Sequence, residues 1–307
     1  MNTSEHVTVH HIRLQNASDW HVHALGCHNV TLDQIQISGD SRFPNNDGVD
    51  PDSCVDFTIM NSNIDVADDG VCLKATQGYG PLNNILVRNV TIRSKSHAIK
   101  FGTNCDSDMS DVVFENITIW DSNSGLGIQH RSGGDIHNVS FRNIFIQTRY
   151  MAPRWWGNGD WVTVTSEPRH NGDKIGRLFD LSFENIHAIS ENGGLFSGRK
   201  NGIQNIVLRN ITVLVIQWSN SSDNDYPKCQ RRDVIADGMG IEIECMGTHD
   251  YRPSYIEDFQ CSHYCRTPAL ADAIYLENVQ GAVIENARVQ FVNKSVPFWG
   301  QCVSVDA

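Results

Sequence analysis

Basic residues are scarce in this sequence: Lys plus Arg number 24 against 36 for Asp plus Glu, a formal charge of −12 over 307 residues. A nucleic-acid binder carries a basic footprint, so that class of partner is excluded. An acidic ligand would need a local cationic patch, because the chain as a whole repels it. No run approaches the roughly 18 consecutive apolar residues of a membrane span, so no membrane partner is expected. The opening "MNTSEHVTVHHI" has neither the charged nor the apolar segment of a secretory leader. It already reads as a strand, so the expectation is a chain that lacks its N-terminal coils. Helical periodicity is missing too, since no 3.6-residue pattern persists anywhere. Metal-ligand spacing is absent: of the nine cysteines (27, 54, 72, 105, 229, 245, 261, 265 and 302), "CSHYC" (Cys261 to Cys265) has no second pair. No metal and no cofactor are therefore expected.

What is present is ordinary globular composition, 40% hydrophobic and 20% charged. The scattered cysteines suit one or more disulfides in an extracellular protein. Sequons at Asn16, Asn29, Asn89, Asn116, Asn138 and Asn210 also point to secretion.

The strongest feature is a repeat. "NNILVRNVTI", "SDVVFENITI", "HNVSFRNIFI", "LFDLSFENIHAI" and "QNIVLRNITV" share apolar-x-apolar, one residue, Asn, then apolar-x-apolar. The first apolar residues are Val7, Val30, Phe57, Ile85, Val112, Val139, Leu181 and Ile206, separated by 23, 27, 28, 27, 27, 42 and 25 residues. The step of 42 marks one coil carrying an insertion, the Trp-rich stretch 150–177, read here as an inserted loop. Two alternating strands cannot run straight through the single Asn, because the period-2 register breaks there. Asn tolerates the left-handed region, and one residue in that conformation bends the chain. A coil of this length with such a bend predicts an all-β parallel β-helix, each turn stacked about 4.8 Å from the last. The Asn residues at 89, 116, 143, 185 and 210 then form an amide ladder. Inward apolar residues give one continuous core, hence one domain over 1–307, with "AVIENARV" (282–289) restoring the pattern near the end.

With the coil as ruler, "NNDGVD", "VADDGVCLK", "SKSHAIKFG" and "NSGLGIQHR" align. Asp47, Asp69, His97 and Leu126 fall in one column, offset by 22, 28 and 29 residues, with Asp68 just before its column. Alternation places Val71, Leu73, Ile99, Phe101 and Ile128 in the core and points Lys74, Lys100, Gln129 and Arg131 outward. Carboxylates on adjacent coils repel, which raises at least one pKa and creates a general acid. Glycoside cleavage needs one carboxyl to protonate the leaving oxygen and another to activate water or attack the sugar. Coil spacing alone leaves retention and inversion open.

"NNDGVDPDSC", "VADDGVCLK" and "SHAIKFG" resemble the Asn-Thr-Asp, Gly-Asp-Asp and Gly-His-Gly motifs of glycoside hydrolase family 28, the pectin-degrading polygalacturonases and rhamnogalacturonases. The likeness runs over residues 5–215 and includes "DWHVHALGCHNVTL". It implies a single-stranded, right-handed, pectin-lyase-like β-helix and an inverting reaction on pectic polysaccharide. Asp68 would be the general acid, Asp47 and Asp69 would hold the attacking water, and His97 would tune the site. Asn46 replaces Thr in the first motif, Ala67 replaces Gly in the second, and Ser96 and Ala98 flank His97 in the third. The family's Arg-Ile-Lys clamp for the galacturonate carboxylate reads Gly127, Ile128, Gln129 here. Lys100, His130 or Arg131 could replace it, or the subsite could take a neutral sugar such as rhamnose. In the insertion, Trp155, Trp156 and Trp161 with Arg154 and Arg169 offer ring faces and guanidinium forks to a sugar. The expected protein is thus a secreted, monomeric glycosidase whose acids surround one open cleft. A rhamnogalacturonan or side-sugar hydrolase, a lyase on the same scaffold and a non-catalytic glycan-binding β-helix are the alternatives.

Overall fold

A computed structural model describes residues 1–151, 157–170, 172–199, 202–216, 218, 273–292 and 303–306. The chain runs β1 (Glu5–His10), β2 (Arg13–Gln15), β3 (Val22–Leu25), β4 (His28–Asp33), β5 (Gln36–Ser38), β6 (Val49–Asp52) and β7 (Val55–Val66). It continues through β8 (Val71–Ala75), β9 (Leu82–Ser94), β10 (His97–Cys105), β11 (Met109–Ser122), β12 (Ser124–His130), β13 (Ile136–Thr148) and β14 (Asp160–Ser166). The last are β15 (Leu178–Ser190), β16 (Gly194–Gly198), β17 (Ile203–Val215), β18 (Ile274–Glu277), β19 (Val279–Glu285), β20 (Arg288–Phe291) and β21 (Ser304–Asp306). Among the described residues, every strand pairing is parallel and no helix occurs. One sheet follows β1-β4-β7-β9-β11-β13-β15-β17-β19 and the other β3-β6-β8-β10-β12-β14-β16-β18-β21, so the chain alternates between them. This is a parallel β-helix.

The register of the first sheet matches the apolar count in the sequence. Val7 pairs with Val30, Val30 with Phe57, Phe57 with Ile85, Ile85 with Val112, Val112 with Val139, Val139 with Leu181 and Leu181 with Ile206. Ile206 pairs with Ala282, so the late repeat belongs to the same stack. Inward side chains form one cluster, within which Phe114, Phe141 and Phe183 stack at centroid distances of 5.3 and 4.9 Å.

The bend is where the repeat places it. Asn61, Asn89, Asn116, Asn143, Asn185, Asn210 and Asn286 all have φ between 53° and 56°. Each amide from Asn89 onward donates to the oxygen of the Asn one rung back, at 2.9–3.3 Å. A second left-handed column precedes the first apolar residue: Asn29, Asp56, Asn84, Asp111, Asn138, Asp180 and Asn205. There, amides donate to carboxylates, as Asn84 does to Asp56 at 2.6 Å and Asn205 to Asp180 at 3.0 Å. The sequence reading missed this ladder, whose signal is the alternating Asn and Asp before each apolar triplet. The six sequon asparagines named above all sit at left-handed positions, so these sequons arise from bend geometry.

Stretch 150–177 is more than a loop, because β14 within it is a regular rung of the second sheet. Trp161 lies in the core there, fully buried, with its ring N–H donating to the Ala273 carbonyl at 3.0 Å. Cys27, Cys54, Cys72 and Cys105 are buried free thiols, so none of these four carries an expected disulfide. The other five cysteines lie outside the described residues.

Candidate active site

Strands β6, β8, β10, β12 and β14 carry the column of acids at their leading edge. Val49 pairs with Val71, Val71 with Ile99, Ile99 with Leu126 and Leu126 with Val162. Two residues earlier, Asp47, Asp69, His97, Ser124 and Asp160 therefore share one column. Leu126 is not among them; it lies two residues further on, in the core, because the step from His97 is 27 residues rather than 29. The glycine after each acid has a steric cause. A Cβ at Gly48 would fall 2.3 Å from the Gly70 carbonyl oxygen, and one at Gly70 would fall 2.5 Å from the Ala98 oxygen. Asp-Gly here marks the closest approach of successive rungs.

One oxygen each from Asp47, Asp68 and Asp69 lies within 4.8 Å of the others. The three residues are only 4%, 5% and 2% exposed, so they are nearly enclosed rather than set around an open cleft. Loop 39–46 lies across Asp68: the Asn45 N–H donates to Asp68 Oδ2 at 3.1 Å, and Lys95 donates to the Ser41 carbonyl at 2.7 Å. Asn46 ties this loop to the acids, its Oδ1 accepting from the N–H groups of Ala67 (2.7 Å) and Asp68 (3.2 Å).

The environments push the three carboxyls apart. Burial, then the Asp69 charge, raises Asp68 to about 6. Asp69 is buried as well, but Lys100 at 2.9 Å, the His97 side chain and the Lys74 charge overcome that burial and hold it ionised, far below the usual range; Ser96 Oγ at 2.9 Å and the His97 N–H at 3.3 Å also donate to it. Burial and the charges of Asp50, Asp68 and Asp69 push Asp47 well upward, opposed by Lys74. His97 Nδ1 is 3.7 Å from Asp69 Oδ1. Its ring lies over Gly127, where a Cβ would come within 2.5 Å of Cδ2.

The remaining sequence candidates are placed unevenly. Lys100 pairs in register with Gly127, and its ammonium is committed to Asp69. Gln129 is 5% exposed, two residues beyond Gly127 on the outward face of β12. His130 is fully buried, its Nε2 2.7 Å from the Gly134 carbonyl and its Nδ1 3.0 Å from Ser166 Oγ; burial lowers it to about 4. Arg131 is also buried, donating to the Glu167 carbonyl at 3.1 Å and Thr165 Oγ1 at 2.9 Å. Neither group joins the acid cluster. Arg154, Trp155 and Trp156 lie outside the described residues. Missed from the sequence were Asp50 and Trp20. Lys74 Nζ donates to Asp50 at 2.8 Å and lies 4.7 Å from the centroid of the Trp20 ring. The clue was outward alternation along "VDPD" and "VCLKA", which sets Asp50, Cys72 and Lys74 on the same face.

Residues 1–152 match the family model described as Glycosyl hydrolases family 28. A "Probable polygalacturonase" of Vitis vinifera is 29% identical over 167 residues, 52% of this chain and 34% of that protein. An "Endo-polygalacturonase" of Pectobacterium carotovorum subsp. carotovorum is 24% identical over 211 residues, 62% of this chain and 52% of that protein. The chain thus spans about a third to a half of the length of these relatives. Among solved structures, an exopolygalacturonase from Thermotoga maritima superposes with TM-score 0.57 at 22% identity, covering 69% of this chain and 49% of that one. A family 28 exopolygalacturonase from Yersinia enterocolitica gives TM-score 0.54 at 13% identity, covering 95% and 44%. These two likenesses support the fold.

Proposed function

We propose that the chain, whose residues 1–152 match the model of Glycosyl hydrolases family 28, hydrolyses α-glycosidic bonds of a pectic polysaccharide with Asp47, Asp68, Asp69 and His97 as its catalytic group. The observation that carries this reading is the divergence of three carboxyls whose oxygens lie within 4.8 Å of one another. Asp68, protonated up to about pH 6, is the general acid that gives its proton to the leaving oxygen. Asp69, ionised by Lys100, and Asp47 orient the attacking water between them. Their oxygens lie within 4.8 Å of one another, a span that one water bridges with two O–H···O hydrogen bonds of about 2.7 Å each. His97 packs against Asp69 and Gly127 and fixes the floor of the site.

The distance does not itself choose the stereochemistry. The about 5–5.5 Å of a retaining pair and the about 6.5–9.5 Å of an inverting pair are both wider than the 4.8 Å within which these oxygens lie. Inversion rests on the family and on the shared-water geometry, and anomeric analysis of the first product by NMR tests it. A retained anomer would make one carboxylate a nucleophile.

Lys100, Gln129, His130, Arg131, Arg154, Trp155 and Trp156 are the proposed substrate-binding set, with Lys100 nearest the acids. Because Lys100 is engaged by Asp69, a second reading has substance: a neutral sugar, as in rhamnogalacturonan or a pectic side chain, beside Gly127 and Gln129. Reducing-sugar release from galacturonan, rhamnogalacturonan and neutral side-chain polymers separates the two, and release from none of them rejects the proposed activity. Formation of an unsaturated product absorbing in the ultraviolet would indicate a lyase instead. We also place the protein outside the cell, where such polymers are met, as a monomer. Among the described residues no helix is long and apolar enough to cross a membrane.

A further inference from the structure

Lys74 sits in a cage beside Asp47. Its ammonium is 2.8 Å from Asp50 Oδ1, 2.8 Å from Cys72 Sγ and 4.0 Å from Asp47 Oδ2, and it lies 4.7 Å from the Trp20 ring centroid. The residue is 8% exposed, and burial alone would drive off its proton; the surrounding carboxylates instead hold it charged. Asp50 is fully buried, which raises its proton affinity against the pull of Lys74, and its second oxygen accepts no hydrogen bond. An oxygen of Asp47, an oxygen of Asp50 and Cys72 Sγ stand within 4.8 Å of one another, a grouping that could ligate a cation. Lys74 itself supplies the positive charge there.

We propose that Lys74 is a positioning residue whose ammonium opposes the burial around Asp47, favouring its ionised form and aiming it at the attacking water, with Asp50 setting how much of that ammonium Asp47 receives. The inference rests on the water-orienting role proposed for Asp47. The groups around Asp47 leave it no other close source of positive charge among the described residues. Asp50 faces it from β6, the strand that follows it, and Asp68 and Asp69 face it from the bend before β8. Cys72 and Lys74 come from β8. On β10, Lys100 and His97 are directed to Asp69. On the preceding rung, His21 bonds the Asp47 backbone carbonyl at 2.9 Å, and His23 is drawn to Asp52 at 3.4 Å. Of the two lysines, Lys100 contacts Asp69 and Lys74 contacts Asp50 and, at 4.0 Å, Asp47.

Carboxyl ¹³C NMR of the full chain, labelled at aspartate, reads the Asp47 titration with no need for turnover. In Lys74→Met the Asp47 midpoint should rise by about one unit or more. The acidic limb of kcat should move up equally, a tenfold or greater loss at acid pH with KM little changed. Lys74→Arg should restore most of it. Asp50→Asn, which frees the ammonium for Asp47, should move the midpoint the other way, and it serves if Lys74→Met fails to fold. A midpoint that stays put in the variants that fold overturns the inference. If the wild-type chain cleaves no pectic polymer, the proposed activity fails while the titration still decides the role of Lys74.

Discussion

Two columns run along the same solenoid and obey opposite rules. The Asn column repeats one residue on rung after rung, is exposed, and joins like to like by amide hydrogen bonds. The acid column changes at every rung, from Asp47 to Asp69, His97, Ser124 and Asp160, and each member is buried. Uniformity suits a structural ladder, since each amide has one donor and one acceptor to pass on and any break leaves both neighbours short. Variation suits a site, because identical buried carboxyls would all resist ionising while different neighbours pull their proton affinities apart. In a repeat protein, the column that departs from its own repeat is where chemistry is to be sought.

Breaking the acid column should produce the largest effect. Asp68→Asn removes the proposed proton donor at nearly constant shape, so turnover on the preferred pectic polymer should fall by about 10²–10⁴-fold. The denaturant midpoint should stay at or slightly above that of the wild type, since a buried carboxyl that resists ionising is gone. Near-normal turnover would remove Asp68 from the role of acid. The sign of the pH response sharpens the same point. With Asp68 raised to about 6, activity should be retained below that pH and decline as pH rises through it, because the acid then loses its proton. An activity that climbs between pH 6 and 8 contradicts the assignment.

Lys100→Met tests the cation that the column recruits. Losing a charge-assisted hydrogen bond costs about 1.5–3 kcal/mol, roughly tenfold or more in affinity. If Lys100 also reaches a uronate, KM on galacturonan should rise far more than on a neutral polymer. If it serves Asp69 alone, kcat should drop on both substrates with little change in KM. Steady-state kinetics on the two polymers gives the answer.

The smallest expected effect is on the Asn column. Asn116→Ala places an ordinary side chain at φ 54° and deletes its bonds to Asn89 and Asn143. The left-handed cost alone is about 1–2 kcal/mol. Asn116→Gly keeps the bend and loses only the exposed amide bonds, so it should be the milder of the two by denaturant titration. Neither should alter kcat. A fall in turnover with unchanged stability would mean that the two columns are coupled through the core.

Much of this was legible in the sequence because a solenoid rung is a local object. The apolar triplets, the Asn between them and the spacing of Val7 to Ile206 fix which residues stack, since register in a parallel stack follows from coil length and inward apolarity. Asp47, Asp69 and His97 could be aligned by the same ruler. The ruler failed at Leu126, where a miscount of two placed a core residue among the acids. It also missed the Asn and Asp ladder, because that column precedes the apolar triplet used for alignment.

By itself, then, the sequence determined the parallel β-helix, the inward face and the convergence of acids on consecutive coils, because all three follow from periodicity and chain continuity. The tertiary structure alone decided the charge state of those acids. Whether Asp68 keeps its proton, Asp69 loses it, Lys100 is spent on Asp69 and Lys74 is caged by Asp50 and Trp20 depends on burial and on distances of a few ångströms between side chains of different rungs. Electrostatic energy varies with those separations and with the local dielectric, and neither quantity is written in residue spacing.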